Sequence, residues 1–195
     1  NQLWSTVAIG NQAGQTNQGA SAVAIGRSAG EYYQDWDAIA IGRYTGNSNQ
    51  GRYAVALGYY AGNSNQGTGS IAIGEYAGQN SGPSSIAIGR SAGDGQGWDG
   101  VAIGRYAGNG QGRYATAIGY YAGYTNQSQG AIAIGDEAGY EYQGTDAVAL
   151  GAWSGYSNQG WSAVALGKNA GNYYQGLVAT AVGPSAGEKI GRAHV

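Results

Sequence analysis

The sequence contains no cysteine, no methionine and no phenylalanine, and it has only two prolines and one histidine. Without cysteine, the chain has neither a disulfide framework nor a thiolate metal site. Because the single histidine lies in a tail outside the repeats, nucleophilic triads and thiol chemistry also lack their members. We therefore expect no enzymatic activity, no cofactor and no metal. Six carboxylates lie at variable positions of predicted turns without any second catalytic feature: Asp35, Asp37, Asp99, Asp136, Glu137 and Asp146.

Charge is also scarce, since 10% of residues are charged and the net charge is −2. The basic residues are scattered singly, whereas binding of a polyanion needs clustered lysine and arginine, so we expect no nucleic-acid partner. No apolar run approaches the roughly 18 residues that mark a membrane-spanning helix, so we expect no direct membrane insertion of this segment.

Glycine is abundant instead, with 39 residues, and it marks an internal repeat. The pattern A-[VI]-A-[IL]-G-x-x-A-G-x-x-x-Q-G-x-x recurs at intervals of 16 residues, except for three successive intervals of 15 between Gly74 and Gly119. We call the first glycine of each copy the aligned glycine. The aligned glycines are Gly10, Gly26, Gly42, Gly58, Gly74, Gly89, Gly104, Gly119, Gly135, Gly151, Gly167 and Gly183.

Each copy predicts one β-strand followed by turns. The A-V-A-I run is short, rich in branched residues and bounded by glycine, which favours a strand of four or five residues and disfavours a helix. The A-G segment between the two glycines is a candidate for a second short strand or an extended edge. The N-S-N-Q-G stretch has turn chemistry, and because the 15-residue intervals are shortened there, we predict an outward loop.

One strand and two turns bury little alone, so we predict that the copies stack about 4.8 Å apart into an all-β, parallel β-solenoid. The solenoid would form a single domain, residues 1–187, of about twelve coils. A glutamine stands eight residues before almost every aligned glycine, and we predict a structural ladder of amides that bond their neighbours or the turn backbone. Its members are Gln18, Gln34, Gln50, Gln66, Gln96, Gln111, Gln127, Gln143, Gln159 and Gln175.

The predicted strand is apolar on both faces, because valine and isoleucine point one way and the two alanines the other. One face fills the coil interior, and a strand that is apolar on both sides is usually covered on both sides. We expect the alanine face to pack against sister chains around a shared axis. The alternative is that the alanine face is exposed and flat, which would suit a monomeric ice-binding β-solenoid.

The segments "SAVAIGRSAG" at Ser21, "SIAIGEYAG" at Ser70 and "SSIAIGRSAG" at Ser84 resemble the S-V-A-I-G-x-x-A repeat in YadA-like heads of trimeric autotransporter adhesins. Similar repeats occur in fibres of phages and large viruses. The resemblance implies a left-handed β-roll and a homotrimeric rod. It also implies a structural and adhesive role outside the cell, on a bacterial surface or a virion fibre, with a host surface protein or glycan as partner.

Aromatic and arginine side chains at variable positions are the candidates for ligand contact, because tyrosine and tryptophan are enriched at binding surfaces. Stacked tyrosines are also explained as a stabilising ladder, and both interpretations stay open here. The candidates six residues before an aligned glycine are Trp36, Trp98, Trp161, Arg52 and Arg113. Those two residues after an aligned glycine are Tyr44, Tyr60, Tyr106 and Tyr121, in a row that also includes Tyr76 and Trp153.

Residues 188–195 form a tail that breaks the repeat. Codons that would encode its last six residues resemble a common sequencing adapter, and we interpret the tail as read-through of such an adapter. The alternative is an ordinary polar tail. His194 lies in this tail and is left out of every functional argument.

Overall fold

The computed structural model describes residues 3–187, which fall into two compact units, unit 1 ending at Asp99 and unit 2 beginning at Gly100. All regular secondary structure of the described residues is β-strand, and neighbouring strands pair in parallel about 16 residues apart. Each unit is therefore a parallel β-solenoid, which confirms the predicted fold class. The tail predicted for residues 188–195 lies outside the described residues.

Unit 1 has two parallel sheets. Its long sheet contains β1 (Val7–Ile9), β3 (Val23–Ile25), β5 (Ile39–Ile41), β7 (Val55–Leu57), β9 (Ile71–Ile73) and β10 (Ile86–Ile88). Its short sheet contains β2 (Thr16–Gln18), β4 (Tyr32–Gln34), β6 (Ser48–Gln50) and β8 (Ser64–Gln66).

Unit 2 repeats this arrangement. Its long sheet contains β11 (Val101–Ile103), β12 (Thr116–Ile118), β14 (Ile132–Ile134), β16 (Val148–Leu150), β18 (Val164–Leu166) and β19 (Thr180–Val182). Its short sheet contains β13 (Thr125–Gln127), β15 (Glu141–Gln143) and β17 (Ser157–Gln159).

Equivalent residues lie directly over one another within each unit. Ala24 pairs with Ala8 on one side and with Ala40 on the other. The strands of the long sheets are three residues long, one or two shorter than predicted. The shortening has a local cause, because the N–H of Ala22, just before β3, donates to the carbonyl of Gly19 and already belongs to a turn.

Neither the second short strand nor the extended edge that the A-G segment between the two glycines was a candidate for is present there. That segment turns, since Tyr44 and Gly46 both have left-handed backbone conformations, with φ of 57° and 51°. The second strand forms instead in the stretch predicted to be an outward loop. In β6 only the first and last residues pair with neighbours, because the central Asn49 is left-handed with φ of 54°.

The alanine face fills the interior of each coil. Ala24, Ala40 and Ala133 have no exposed surface, whereas Ile9 and Leu150 on the opposite face are 59% and 39% exposed. Our expectation that the alanine face would meet sister chains is therefore wrong. The alternative of an ice-binding surface made by exposed alanines loses its premise for the same reason.

The narrow coil explains why alanine lies inside. The side chain of Gln143 spans the interior, and its Nε2 donates to the carbonyls of Ile132 at 2.7 Å and Ala147 at 3.1 Å. Gln34 makes the equivalent pair of bonds to Val23 and Ala38. Since each glutamine side chain crosses from the short sheet to the long sheet, where its amide bonds carbonyls at the start of two successive strands, a branched aliphatic side chain has no room beside it. The glutamine ladder lies in this interior.

The two glycines of each copy are required for different steric reasons. Gly10 has φ of +129°, and a Cβ atom there would lie 2.6 Å from the carbonyl oxygen of Gly26 in the next coil. Gly139 has φ of +54°, and a Cβ atom there would lie 2.6 Å from Oε1 of Gln143. The first glycine thus permits close approach between coils, and the second leaves space for the glutamine amide.

Replacing Gln143 by leucine should lower the free energy of unfolding by about 1–3 kcal/mol, because buried carbonyls lose their donor while the apolar volume is kept. Gln129→Leu is the matched control, since Gln129 is exposed in the turn after β13 and its replacement should leave the stability unchanged. Urea denaturation followed by circular dichroism measures both. Equal midpoints for the two variants would contradict the structural role of the ladder.

Candidate functional site

The outward face of each long sheet is almost entirely aliphatic. We call it the aliphatic face, and it consists of the first and third residues of every long-sheet strand. In unit 1 these residues are Val7, Ile9, Val23, Ile25, Ile39, Ile41, Val55, Leu57, Ile71, Ile73, Ile86 and Ile88. In unit 2 they are Val101, Ile103, Thr116, Ile118, Ile132, Ile134, Val148, Leu150, Val164, Leu166, Thr180 and Val182.

No charged residue interrupts the aliphatic face in either unit, and its members are half-buried or exposed. Thr116 and Thr180 are its only polar members. Contiguous apolar surface of this kind is rare on monomeric proteins and usually marks a contact with another molecule. The face is thus a candidate interface.

A second candidate site is a groove of about 560 Å³ in unit 1 that crosses neighbouring coils. This volume lies within the range of about 300–1,000 Å³ that is typical of sites for small molecules. The groove is lined by Leu3, Asn17, Gln18, Gly19, Tyr33, Gln34, Asp35, Trp36, Asn49, Gln50 and Gly51.

The repeat explains how this groove forms. Asn17, Tyr33 and Asn49 are the central residues of β2, β4 and β6, and their left-handed backbones direct these exposed side chains away from the coil interior. They form one wall, and Trp36 forms the other. The floor is the position directly after each ladder glutamine, which is glycine in most coils and Asp35 in this one.

The groove combines two aromatic side chains with one carboxylate. Tyr33 and Trp36 are 57% and 49% exposed. Between them, Oδ1 of Asp35 accepts the backbone N–H of Trp36 at 2.7 Å, which fixes the carboxylate at the floor. The guanidinium of Arg52 lies 4.6 Å from the centre of the Trp36 ring in a cation–π contact that orients the indole.

Two tyrosine clusters form a third feature. In unit 1, Tyr60 stacks on Tyr44 and Tyr76, with ring centroids 4.9 and 5.2 Å apart. In unit 2, Tyr106 and Tyr121 stack at 4.8 Å. The unit 2 cluster continues through the stacked series Tyr124, Tyr140 and Tyr156.

Arginine side chains border these clusters. Arg43 lies over the ring of Tyr59 at 4.5 Å, and Arg105 lies over the ring of Tyr120 at 4.4 Å. Arg27 contacts Tyr44 both through its ring and through a hydrogen bond to its hydroxyl. The tyrosine row thus stacks as a ladder, which is one of the two interpretations that the sequence left open. Its rings contact mainly one another.

Crowding changes the ionisation of these phenols. Burial, followed by the neighbouring Tyr59 and Tyr44, raises the pKa of Tyr60 above its ordinary value of 10.0. Burial, followed by neighbouring tyrosines, likewise raises the pKa of Tyr121. For Tyr140, burial and then the neighbouring Tyr124 raise the pKa. Each phenol is therefore held in its neutral form to higher pH than in an unfolded chain.

Glu31 is a buried carboxylate outside the groove and is 6% exposed. Burial by itself raises its pKa, but hydrogen bonds from Tyr32, Ser28 and Asn47 overcome this and lower the pKa below its ordinary value of 4.5. Its bond from Asn47 measures 3.0 Å and links two neighbouring coils. We assign Glu31 a structural role.

The remaining candidate contact residues lie apart from the groove. Trp98 lies in the same row as Trp36 in unit 1 and is 50% exposed. In unit 2, Trp161 is 56% exposed and Arg113 is also exposed. Trp153 lies beneath the ammonium group of Lys168, at 5.3 Å. Of the predicted contact residues, the structure joins only Trp36 and Arg52 to the groove.

Tyr33 is absent from the contact residues predicted from sequence, and Asp35 had no predicted binding role. Two signals were available. Asp35 replaces a glycine that most copies have at this position, and Tyr33 replaces the asparagine found at the equivalent positions of the adjacent copies, Asn17 and Asn49. Departures from a repeat consensus within the same coil as an exposed tryptophan indicate a local specialisation.

Within the described range, 3–187, no cluster of three or more potential metal ligands occurs. Over the same residues, no helix has the length and apolar character needed to cross a membrane. No protein-family model, no curated protein and no solved structure matches this chain. Its function is therefore argued from the two candidate sites and from the repeat.

The raised tyrosine pKa values predict a pH dependence of folding. Because unfolded tyrosines ionise near pH 10.0 and the clustered folded ones ionise higher, stability is fully present below pH 10.0. It should fall as the pH rises through that value toward the folded pKa. Phenolate absorbance should therefore develop later in the folded protein than in protein unfolded by guanidinium. Coincident titration curves would refute the crowding of these rings.

Proposed function

We propose that this chain is a self-associating segment of an extracellular fibre, in a surface adhesin head or a phage or viral fibre. The aliphatic face is the observation that carries the proposal. A parallel sheet is normally covered on both faces, and only the inner face of each long sheet is covered within the chain. The repeat resemblance, which implies a homotrimer, supports the same conclusion.

The composition of the interior strengthens the argument for association. The core of each coil consists of alanine methyl groups and a glutamine amide, so one chain buries little apolar surface on folding. The larger aliphatic side chains all lie outside. Since burial contributes about 25 cal/mol per Å², covering them would add the apolar burial that a coil lacks by itself.

A second copy of the chain is the occupant that fits this face best. The face presents a pair of branched side chains at every coil, aliphatic except for Thr116 and Thr180, so the ridges of one copy have the spacing of the grooves of another. Because the face carries no charge, it has no electrostatic preference for a charged partner. Closed association of identical faces around an axis also leaves the short-sheet wall of the groove accessible, because β2, β4 and β6 belong to the other sheet.

An adhesive role follows from what remains outside such an assembly. The groove with Tyr33, Asp35 and Trp36 lies between the short sheet of unit 1 and the turn that follows it. Aromatic residues on an accessible surface of a rigid scaffold are suited to contact with a host surface. The self-associated face would thus supply stability and the opposite side would supply recognition.

The wild-type chain should sediment as a trimer at micromolar concentration, and Leu150→Lys should make it monomeric with an unchanged far-ultraviolet circular dichroism spectrum. Leu150 is partly exposed in the single chain, so a lysine is tolerated there, but association would bury its charge. Ile41→Lys with Leu150→Lys places the same charge in both units. Analytical ultracentrifugation measures the mass.

The matched control is Thr125→Lys, an exposed strand residue on the short sheet of the same unit, which should remain trimeric. A wild-type protein that is monomeric throughout the micromolar range would overturn the proposal. So would dissociation of Thr125→Lys to the same extent as Leu150→Lys.

A further inference from the structure

We propose that the groove between the short sheet of unit 1 and Trp36 binds a neutral hexopyranose oligosaccharide. This inference deepens the proposed adhesive function and takes its biological meaning from it.

The two aromatic side chains suit the apolar faces of sugar rings. Tyr33 and Trp36 lie on opposite walls and keep about half of their surface exposed. Arg52 contacts the Trp36 ring from the next coil, while the equivalent residue of the preceding coil is Ala20, whose methyl group is too small to cover the indole. A pyranose ring, with axial C–H groups on one face, stacks on an aromatic surface of this kind.

The polar groups of the groove complement sugar hydroxyls. Asp35 uses Oδ1 for the backbone N–H of Trp36, and its carboxylate is exposed at the floor, where it accepts hydrogen bonds from vicinal hydroxyls. Asn17 and Asn49 lie on either side of Tyr33 along the wall and offer amide donors and acceptors. A site for sugars needs this combination of a flat apolar surface with a few fixed polar groups.

The charge of the floor selects against acidic sugars. Asp35 is the carboxylate in the lining, and Asp37 follows Trp36 directly, so a uronic or sialic acid would bring a like charge to the floor. The guanidinium of Arg52, which lies against the indole, offsets only one of these two carboxylates, so the charge of the three residues together stays negative. A neutral ring meets no such repulsion.

The groove is also long enough for more than one ring. Its floor runs from Leu3 through Gly19 and Asp35 to Gly51, which are equivalent positions in four successive coils. At about 4.8 Å per coil, this floor is about 14 Å long. The glycines on either side of Asp35 leave the floor low, so an oligosaccharide chain has room to extend along the coils.

Three substitutions remove the site with residues that the repeat already uses at the same positions. Tyr33→Asn copies Asn17 and Asn49, Asp35→Gly copies Gly19 and Gly51, and Trp36→Thr copies Thr68. Each variant should therefore fold. Trp161→Thr is the matched control, because Trp161 occupies the position of Trp36 in unit 2 and is similarly exposed.

Isothermal titration of the full chain with cellohexaose, β-1,4-mannohexaose and β-1,4-galactohexaose tests the proposal, and β-1,4-hexamannuronate is the acidic counterpart of mannohexaose. We expect at least one neutral hexasaccharide to bind, with hexamannuronate weaker than mannohexaose. Tyr33→Asn and Trp36→Thr should each weaken binding about tenfold or more. Asp35→Gly should weaken neutral binding and reduce the discrimination against hexamannuronate, while Trp161→Thr should bind as the wild type does.

Failure to bind all three neutral hexasaccharides at millimolar concentration would overturn the proposal, as would binding that the groove variants leave intact. Binding of a proline-rich peptide at the groove in place of any sugar would overturn it too. The mass of each variant is measured in parallel. A trimer that binds no sugar refutes the groove and leaves the fibre proposal standing, whereas a monomer that binds sugar supports the groove and refutes self-association.

Discussion

Each buried glutamine joins the two sides of its coil through its amide, and this contact sets the width of the whole solenoid. Gln34 lies on the short sheet and its amide bonds Val23 and Ala38 at the start of two successive long-sheet strands, so the space beside it admits only a methyl group or a hydrogen atom. Alanine on the inner strand face and glycine opposite the amide oxygen follow from that width. The larger aliphatic side chains are displaced to the outside, where they form the aliphatic face. The stability within a coil and the exposure of the aliphatic face thus have one origin.

The repeat made much of the fold predictable, because its glycines, branched residues and constant interval specify strand, class and register together. Which strand face lies inside was not predictable from the alternation of side chains. The valine face and the alanine face are both apolar, so alternation alone favours neither. Side-chain volume decides between them, and the interior volume depends on the position of Gln34 across the coil. The second strand escaped prediction because Ser48–Gln50 contains a left-handed asparagine, which is typical of turns.

The candidate groove was less accessible from sequence than the fold. Trp36 and Arg52 were predicted as contact candidates at one repeat position, but Tyr33 belongs to another position and joins them only through the path of the chain between β4 and the next turn. The tyrosine row has the opposite character. Its rings stack on each other and are bordered by arginines, so their regular spacing indicates mutual stabilisation, while irregular departures such as Asp35 indicate specialisation.

The left-handed residues at the corners of the coils have a consequence for how such a surface evolves. Tyrosine, asparagine, serine, aspartate and even Val178 adopt nearly the same φ there, between 48° and 61°. The interior contacts thus impose the left-handed conformation at these corners. They offset its free-energy cost whichever side chain is present. A single base change at a corner alters what the molecule displays without redesigning its scaffold. The surface side chains of such a chain can therefore change one coil at a time, while the backbone of every coil stays the same.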